Sequence, residues 1–236
     1  GGKKKYTKTD HIPLRGDRDH PPGVLLIEQD ITEFIVEREK RERMFRGLIA
    51  AFVAEVDSRQ ANAARTNARL IGRIARGGAE EMGLSPVEAE VAELAGELMN
   101  LGTVSLSQDL LSKGGNRNEE ERTKYREAIL RSADLVSGLE FEGPVAEVIR
   151  QAQERADGSG YPKRLSGDAI LPAAKVVAVA KRLVDLIQGQ EGPVQSLDQA
   201  LRTVMSEAGA SLDRGAVAAT VDFLDNRGGR VKVGLS

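Results

Sequence analysis

The stretch best suited to chemistry is a glycine-rich loop at residues 154–162, with the sequence E-R-A-D-G-S-G-Y-P. Its glycines and proline prevent a helix from running through it, so the loop is expected between two helices. Glycine leaves backbone N–H groups uncovered, and such loops can contact phosphate oxygens. Arg155, Lys163 and Arg164 add positive charge, and Asp157 can stabilise the loop by bonding its own backbone. A tight structural turn is the alternative interpretation of this pattern.

Few other residues offer catalytic chemistry. The chain of 236 residues has no Cys, and its two histidines, His11 and His20, precede the helical part. Thiol catalysis, disulfides and a Ser-His-Asp triad within the helical part are therefore excluded. No G-x-x-x-x-G-K-S/T phosphate loop occurs. A net charge of −2 gives no indication of a nucleic-acid partner.

The loop, followed by L-S-G-D-A-I at 165–170, resembles the signature of the HD-GYP family. The resemblance extends over residues 45–225 and includes Gly83-Leu84-Ser85, the stretch 110–113 and the helix 176–180. It implies the all-helical fold of bacterial phosphodiesterases that hydrolyse cyclic di-GMP at a site of two or three metal ions. It also implies that the loop takes part in recognition, including contacts to diguanylate cyclase domains.

The resemblance locates the positions where metal ligands are expected, and other residue types stand there: Thr66, Met99, Asn100, Ala128, Ala152, Gln153 and Lys181. A two-metal centre needs imidazoles and carboxylates, and without metal no hydroxide forms near neutral pH. The sequence therefore predicts a pseudo-enzyme with no catalytic residue, no metal ligand and no cofactor. Lys181 would repel divalent cations, and its ammonium could replace part of their charge.

The predicted function is non-catalytic regulation in a bacterial sensor protein, through contacts with a protein such as a diguanylate cyclase domain. The predicted contact residues lie on the loop and at the two positions after it: Glu154, Arg155, Asp157, Gly158, Gly160, Tyr161, Pro162, Lys163 and Arg164. Two alternatives stay open. One is a receptor module that binds cyclic di-GMP or another nucleotide through the loop cations and Lys181. The other is a metal-dependent cyclic di-GMP phosphodiesterase with atypical ligands.

Helices must position this loop. A hydrophobic content of 40% with only 3% aromatic residues favours a core of Leu, Ile, Val and Ala. The predicted fold class is all-α, an HD-type helical bundle with a short N-terminal β remnant and a linker helix. The predicted domains are the end of a PAS-like sensor domain at 1–30, a linker and dimerisation helix at 31–56, a degenerate HD-GYP domain at 57–227 and a tail at 228–236.

The N-terminal prediction depends on the run G-V-L-L-I-E-Q-D-I-T-E at 23–33. It predicts a strand leading into a capped helix, and it resembles the last strand and exit of a PAS domain. The helix after it repeats apolar residues in heptad phase: Ile31, Phe34, Phe45, Leu48 and Phe52. A homodimer through this helix is predicted, with a single amphipathic helix packed on its own domain as the alternative.

Polar residues ahead of apolar runs predict helix N-termini at Ser85, Asn118 and Ser196. The predicted helices cover 57–80, 87–101, 119–137, 144–153, 171–187, 196–208 and 216–224, and the tail is predicted to be a short strand or disordered. No apolar run is long enough to span a membrane, which together with the lack of Cys suits a cytoplasmic location.

Overall fold

The computed structural model describes residues 4–15, 21–58, 67–190 and 192–235. Its strands are β1 Thr7–Leu14 and β2 Gly23–Asp30. Its α-helices are α1 Thr32–Ser58, α2 Asn67–Glu81, α3 Pro86–Leu98, α4 Gln108–Ser112, α5 Glu119–Val136, α6 Val145–Gln151, α7 Pro172–Gln188, α8 Leu197–Ser206, α9 Arg214–Asn226 and α10 Gly229–Val233. The chain divides into two compact units, residues 1–50 and 51–236. The predicted mainly helical fold with a short β element is confirmed.

The first unit contains a two-stranded antiparallel sheet, with Thr7 opposite Asp30 and Leu14 opposite Gly23. The predicted strand at 23–28 is confirmed and extends to Asp30. Its partner β1 was not predicted, because its sequence does not alternate clearly between apolar and polar residues. At the start of α1, Asp30 Oδ1 accepts a hydrogen bond from Thr32 N at 3.0 Å and so satisfies one backbone N–H group of the first helical turn.

Three capping boxes begin helices of the second unit. Each pairs a polar N-cap with an acid or amide three residues later: Ser85 with Glu88, Asn118 with Glu121, and Ser196 with Gln199. Each pair satisfies two backbone N–H groups that the first helical turn leaves without a partner. The N-termini of α3, α5 and α8 are therefore determined locally, as the sequence predicts.

The core of the second unit is aliphatic and surrounds α7, which packs against α2, α3, α6, α8 and α9. The side chains of Val176, Val177, Val179 and Leu183 are fully buried. Helices α2 and α3 approach closely because glycines face each other, and a Cβ added to Gly96 would lie 2.9 Å from Gly72 Cα. Burial on several faces of α7 anchors the end of the loop that precedes it.

Several predicted helix boundaries are wrong. Helix α3 ends at Leu98 rather than at residue 101, and a 3-10 helix follows at Leu101–Ser105. Gly102 causes this change, because its N–H donates to Ser132 Oγ at 2.8 Å in a packing too close for a side chain. The predicted helix at 57–80 is observed as the end of α1 and as α2, with residues 59–66 outside the described ranges.

The tail prediction is also wrong, because residues 229–233 form α10. Glycines in the left-handed conformation lie at both ends of this helix, with φ of 68° at Gly228 and 77° at Gly234. Val233 is buried, and Arg230 pairs with Asp225 at 2.6 Å and with Asp198 at 2.9 Å. Tertiary contacts therefore stabilise a helix that is too short to form alone. No helix in the described ranges is long and apolar enough to cross a bilayer.

Candidate functional site

The glycine-rich loop between α6 and α7 is held together by one buried carboxylate. Glu154 Oε1 accepts from Lys163 N at 2.7 Å, and Oε2 accepts from Leu165 N at 3.1 Å. The backbone of the loop also packs closely against itself, since a Cβ added to Gly160 would overlap the backbone of Glu154 and Arg155. The loop is therefore a closed, braced structure rather than an open connection.

Asp157 closes a tight turn at the tip of the loop. Its Oδ1 accepts from Ser159 Oγ at 2.6 Å and from Ser159 N at 2.9 Å. These bonds, first from the hydroxyl and then from the backbone, lower the pKa of Asp157. Gly158 has φ of 78°, a conformation that favours glycine. The predicted role of Asp157 in bonding its own local backbone has this geometric basis.

Next to the loop lies a cleft of about 1080 Å³ in the second unit. The described residues that line it come from the segment before α5, from α5, the loop, α7 and the segments after α7 and α8. Its charged and amide residues are Arg117, Arg122, Arg126, Gln153, Glu154, Arg155, Arg164, Lys181, Arg182, Asp185, Gln190 and Glu207. Seven cationic side chains face three carboxylates, so the cleft is positive although the chain has a net charge of −2.

Two of these cations are paired with carboxylates in the cleft wall. Lys181 pairs with Asp185 one helical turn later, with both side chains largely buried. The guanidinium of Arg182 meets both carboxylate oxygens of Glu207, with Nε at 3.1 and 3.0 Å. Arg155 and Arg164 differ, since within the described ranges neither makes an ion pair within 4 Å. The charge of Arg155 does help to lower the pKa of Asp157.

Aromatic rings lie beside other cations of the cleft. The guanidinium carbon of Arg117 lies 4.1 Å from the centre of the Tyr125 ring, and that of Arg126 lies 5.5 Å from the Tyr161 ring. Arg117 is buried and donates to the backbone carbonyls of Leu110 and Leu111 at 3.2 Å. These pairs place aromatic rings and guanidinium groups together in the lining of the cleft.

Two buried amide atoms of the cleft residues have no hydrogen-bond partner in the part of the chain that the structure describes. They are Gln153 Nε2 and Gln190 Oε1. The other amide atom of Gln153, Oε1, accepts from Tyr161 Oη at 2.9 Å, which holds the side chain in place. Both atoms are shielded from solvent, so a ligand reaches them only after the side chains move.

The structure brings together only some of the residues that the sequence singled out. Ala152, Gln153 and Lys181 line the cleft with most of the loop, whereas Lys163 does not and instead pairs with Glu147 at 3.2 Å. Of the other predicted positions, Met99, Asn100 and Ala128 are buried and are not among the lining residues, and Thr66 lies outside the described ranges.

Sequence reasoning missed four cations of the cleft, Arg117, Arg122, Arg126 and Arg182, and the amide of Gln190. The arginines of α5 lie in a highly charged helix whose composition is typical of a solvated surface. No local pattern distinguishes them from their neighbours, because the packing of α5 beside the loop decides which of them face the cleft.

A binuclear metal centre requires clustered imidazoles and carboxylates. Within the described ranges, no group of three or more His, Cys, Asp or Glu residues is placed to hold a metal ion. The three carboxylates of the cleft are already engaged: Glu154 by backbone N–H groups, Asp185 by Lys181 and Glu207 by Arg182. The described donor set therefore does not fit such a centre.

Comparison with known proteins gives consistent results. The family described as HD domain matches residues 50–215. The chain is 28% identical over 192 residues to the cyclic di-GMP phosphodiesterase response regulator RpfG of Xanthomonas campestris, covering 80% of this chain and 50% of that protein. It is 25% identical over 142 residues to 3'3'-cGAMP-specific phosphodiesterase 1 of Vibrio cholerae, covering 60% and 33%.

Among solved structures, a cyclic GMP-AMP specific phosphodiesterase of V. cholerae matches with a TM-score of 0.61 at 18% identity, over 79% of this chain and 50% of that one. At this identity the match establishes the fold alone. The chain spans half or less of the length of the curated relatives above. The prediction of a non-catalytic pseudo-enzyme is wrong on these findings, because the relatives are named as phosphodiesterases.

Proposed function

The chain belongs to the HD domain family, and we propose that its helical unit binds a cyclic dinucleotide in the cleft and hydrolyses a phosphodiester bond of that ligand. The substrates in the names of the relatives, cyclic di-GMP and 3'3'-cGAMP, support this class of ligand. Both carry two phosphodiester groups and two purine bases, which is the chemistry that the cleft must accommodate.

The observation that carries the proposal is the positive cleft beside the signature loop. Seven cations against three carboxylates attract a ligand with two negative charges, although the whole chain is slightly acidic. The volume of about 1080 Å³ matches the upper end of clefts that hold small organic ligands. Phosphate binding alone would not distinguish nucleotides from other anions, so the uncharged groups matter as well.

Those groups suit purine bases. Tyr125 with Arg117 and Tyr161 with Arg126 supply aromatic and guanidinium surfaces in the cleft lining. Base stacking on such surfaces contributes about 1–3 kcal/mol per base in nucleic-acid complexes. Guanine has acceptors at O6 and N7 and a donor at N2, and the amide and guanidinium side chains of the cleft lining carry complementary groups.

In the reaction, the residues of the chain have binding and orienting roles. The cations hold the ligand's phosphates and offset negative charge at the phosphorus, while the loop backbone closes one side of the cleft. A divalent metal, where one is bound, supplies an activated hydroxide. The described carboxylates of the cleft are engaged by N–H groups and cations and do not fit a metal pair.

Turnover is the direct test. The purified chain is incubated with cyclic di-GMP and, separately, with 3'3'-cGAMP, in buffers containing Mn²⁺ or Fe²⁺. Chromatography is expected to show a linear dinucleotide that accumulates with time in at least one condition. A chain that leaves both ligands intact under all conditions would contradict the proposal.

Finer features of the molecule are proposals of the same kind. We propose that residues 1–30 are the end of a PAS-like sensor domain, and that a linker helix at 31–56 couples it to the helical domain at 57–227, which the tail at 228–236 follows. We also propose that α1 forms a homodimer, supported by the exposure of Phe34, Leu48 and Phe52. Contact of the loop with a diguanylate cyclase domain and a cytoplasmic location stay predictions.

A further inference from the structure

We infer that the phosphates of the ligand are held directly by the side chains of Arg155 and Arg164, and that binding requires no metal ion. The inference rests on the proposed function, because it concerns the same cleft and the same class of ligand. It goes further by identifying which cations meet phosphate and by separating ligand binding from metal binding.

The cations of the cleft differ in whether a carboxylate of the protein already neutralises their charge. Lys181 and Arg182 are neutralised by Asp185 and Glu207 in the wall of the cleft, with all four side chains between 13% and 25% exposed. Arg155 and Arg164 make no ion pair within 4 Å in the described ranges. An unpaired guanidinium can form two parallel hydrogen bonds to one phosphate, which is the strongest contact available here.

The backbone conformation at Arg164 also favours a contact between its side chain and the ligand. Arg164 has φ of 55°, in the left-handed region that non-glycine residues rarely adopt. This conformation is maintained from both sides, because Glu154 accepts from the backbone N–H groups of Lys163 and Leu165. Strained conformations of this kind occur where a side chain must be aimed at a ligand. The buried carboxylate thus directs the Arg164 side chain into the cleft.

Lys163 shows that a cation next to the loop does not necessarily line the cleft. Lys163 precedes Arg164 directly, yet its ammonium pairs with Glu147 at 3.2 Å and does not line the cleft. The loop therefore separates two adjacent positive charges, one for the protein surface and one for the ligand. This pair gives a matched control for mutagenesis.

The carboxylates of the cleft already have hydrogen-bond or ion-pair partners. A metal-bridged phosphate needs acidic or imidazole ligands that are free to coordinate, and those of the cleft are engaged by N–H groups or cations. In the described cleft, Arg155 and Arg164 have no ion-pair partner and can bind an anion. The carboxylates, by contrast, are already engaged and do not suit a cation. Its chemistry favours direct contact between guanidinium and phosphate.

Calorimetric titration of the whole chain with cyclic di-GMP and 3'3'-cGAMP tests the inference. Affinity is expected to be equal, within about twofold, in EDTA and in Mn²⁺. Arg155→Met and Arg164→Met are each expected to weaken binding about tenfold. Lys163→Met should match the parent chain, and Arg164→Lys should recover part of the loss. Circular dichroism checks that each variant is folded.

The outcomes separate the two proposals. Binding that occurs only with Mn²⁺ overturns the inference, as does equal affinity of Arg164→Met and Lys163→Met. Metal-independent binding without any hydrolysis in the turnover assay supports the inference and contradicts the proposed function. Hydrolysis together with binding that requires Mn²⁺ supports the proposed function and overturns the inference. No binding of either ligand overturns both.

Discussion

At the scale of single residues, Asp57 is the clearest departure from ordinary behaviour. It is 3% exposed, its Oδ2 accepts from Ala68 N at 3.3 Å, and its Oδ1 has no partner among the described residues. Burial raises the pKa of Asp57 from 3.8 to about 6, although the Ala68 N–H and the charge of Arg69 act in the other direction. The folded chain therefore holds this proton more tightly than the unfolded chain.

The consequence is a stability that depends on pH. The contribution of Asp57 to the free energy of unfolding is expected to fall as the pH rises from 3.8 to about 6, and to stay lower above that range. Asp57→Asn removes the buried charge, so it should stabilise the chain at pH 7.5 by about 1–3 kcal/mol and have no effect below about pH 4. Denaturant unfolding across this pH range measures both quantities.

Asp213 provides the opposite control. Burial opposes the shift, but hydrogen bonds from Ala216 N and Lys175 outweigh it and lower the pKa of Asp213. Its contribution is therefore present above 3.8 and is lost as the pH falls through the lower folded pKa. Asp213→Ala should destabilise at pH 7.5 by about 1 kcal/mol, since it also removes the N-cap of α9. Equal pH profiles for both variants would contradict this assignment.

At the scale of elements, the close approach of α2 and α3 depends on glycine. A Cβ at Gly96 would lie 2.9 Å from both Cα and N of Gly72, which are backbone atoms that cannot move independently of their helix. Gly96→Ala is therefore expected to destabilise the chain by about 1–3 kcal/mol, measured by denaturant unfolding.

Gly47→Ala in α1 is the matched comparison, since a Cβ added there meets nothing within 4 Å in the described ranges, apart from the adjacent residues and the helix's own backbone. Alanine favours the helix over glycine by up to about 1 kcal/mol, so this variant should be neutral or more stable. A Gly96→Ala chain as stable as Gly47→Ala would show that the two helices can separate without cost.

Helix α1 carries the proposed dimer contact. Leu48 is 54% exposed and shares a heptad position with Phe34, two heptads earlier. Leu48→Lys is expected to shift the chain from dimer to monomer in sedimentation velocity. Val36→Lys is the control, because Val36 is similarly exposed but lies on the outer face of the same heptad pattern. A parent chain that sediments as a monomer would contradict the dimer.

At the scale of the whole molecule, charge is distributed unevenly. The chain carries 34 basic and 36 acidic residues, yet among the described residues seven cations and three carboxylates line the cleft. Binding of a dianionic ligand should therefore weaken as NaCl rises from about 0.05 to 0.3 M. Dissolved ions screen the attraction between charges, with a screening length of about 10 Å at 0.1 M salt. Titration at several salt concentrations measures this, and an affinity independent of salt would contradict an electrostatic cleft.

The sequence determined those features that depend on nearby residues. The caps at Ser85, Asn118 and Ser196, the helix order and the loop at 154–162 follow from side chains that bond backbone groups three residues away or from glycine and proline. The expected absence of catalysis was wrong, because it inferred function from substitutions at a few matched positions, while the comparisons identified phosphodiesterase relatives over most of the chain.

Only the tertiary structure decided which charges act together. Lys163 and Arg164 are adjacent and carry the same charge, yet one pairs with Glu147 and the other lines the cleft. Helix α10 likewise depends on distant contacts, since Arg230 pairs with Asp198 and Val233 is buried. Side-chain direction and long-range packing arise from the whole fold, and no local pattern of residues encodes them.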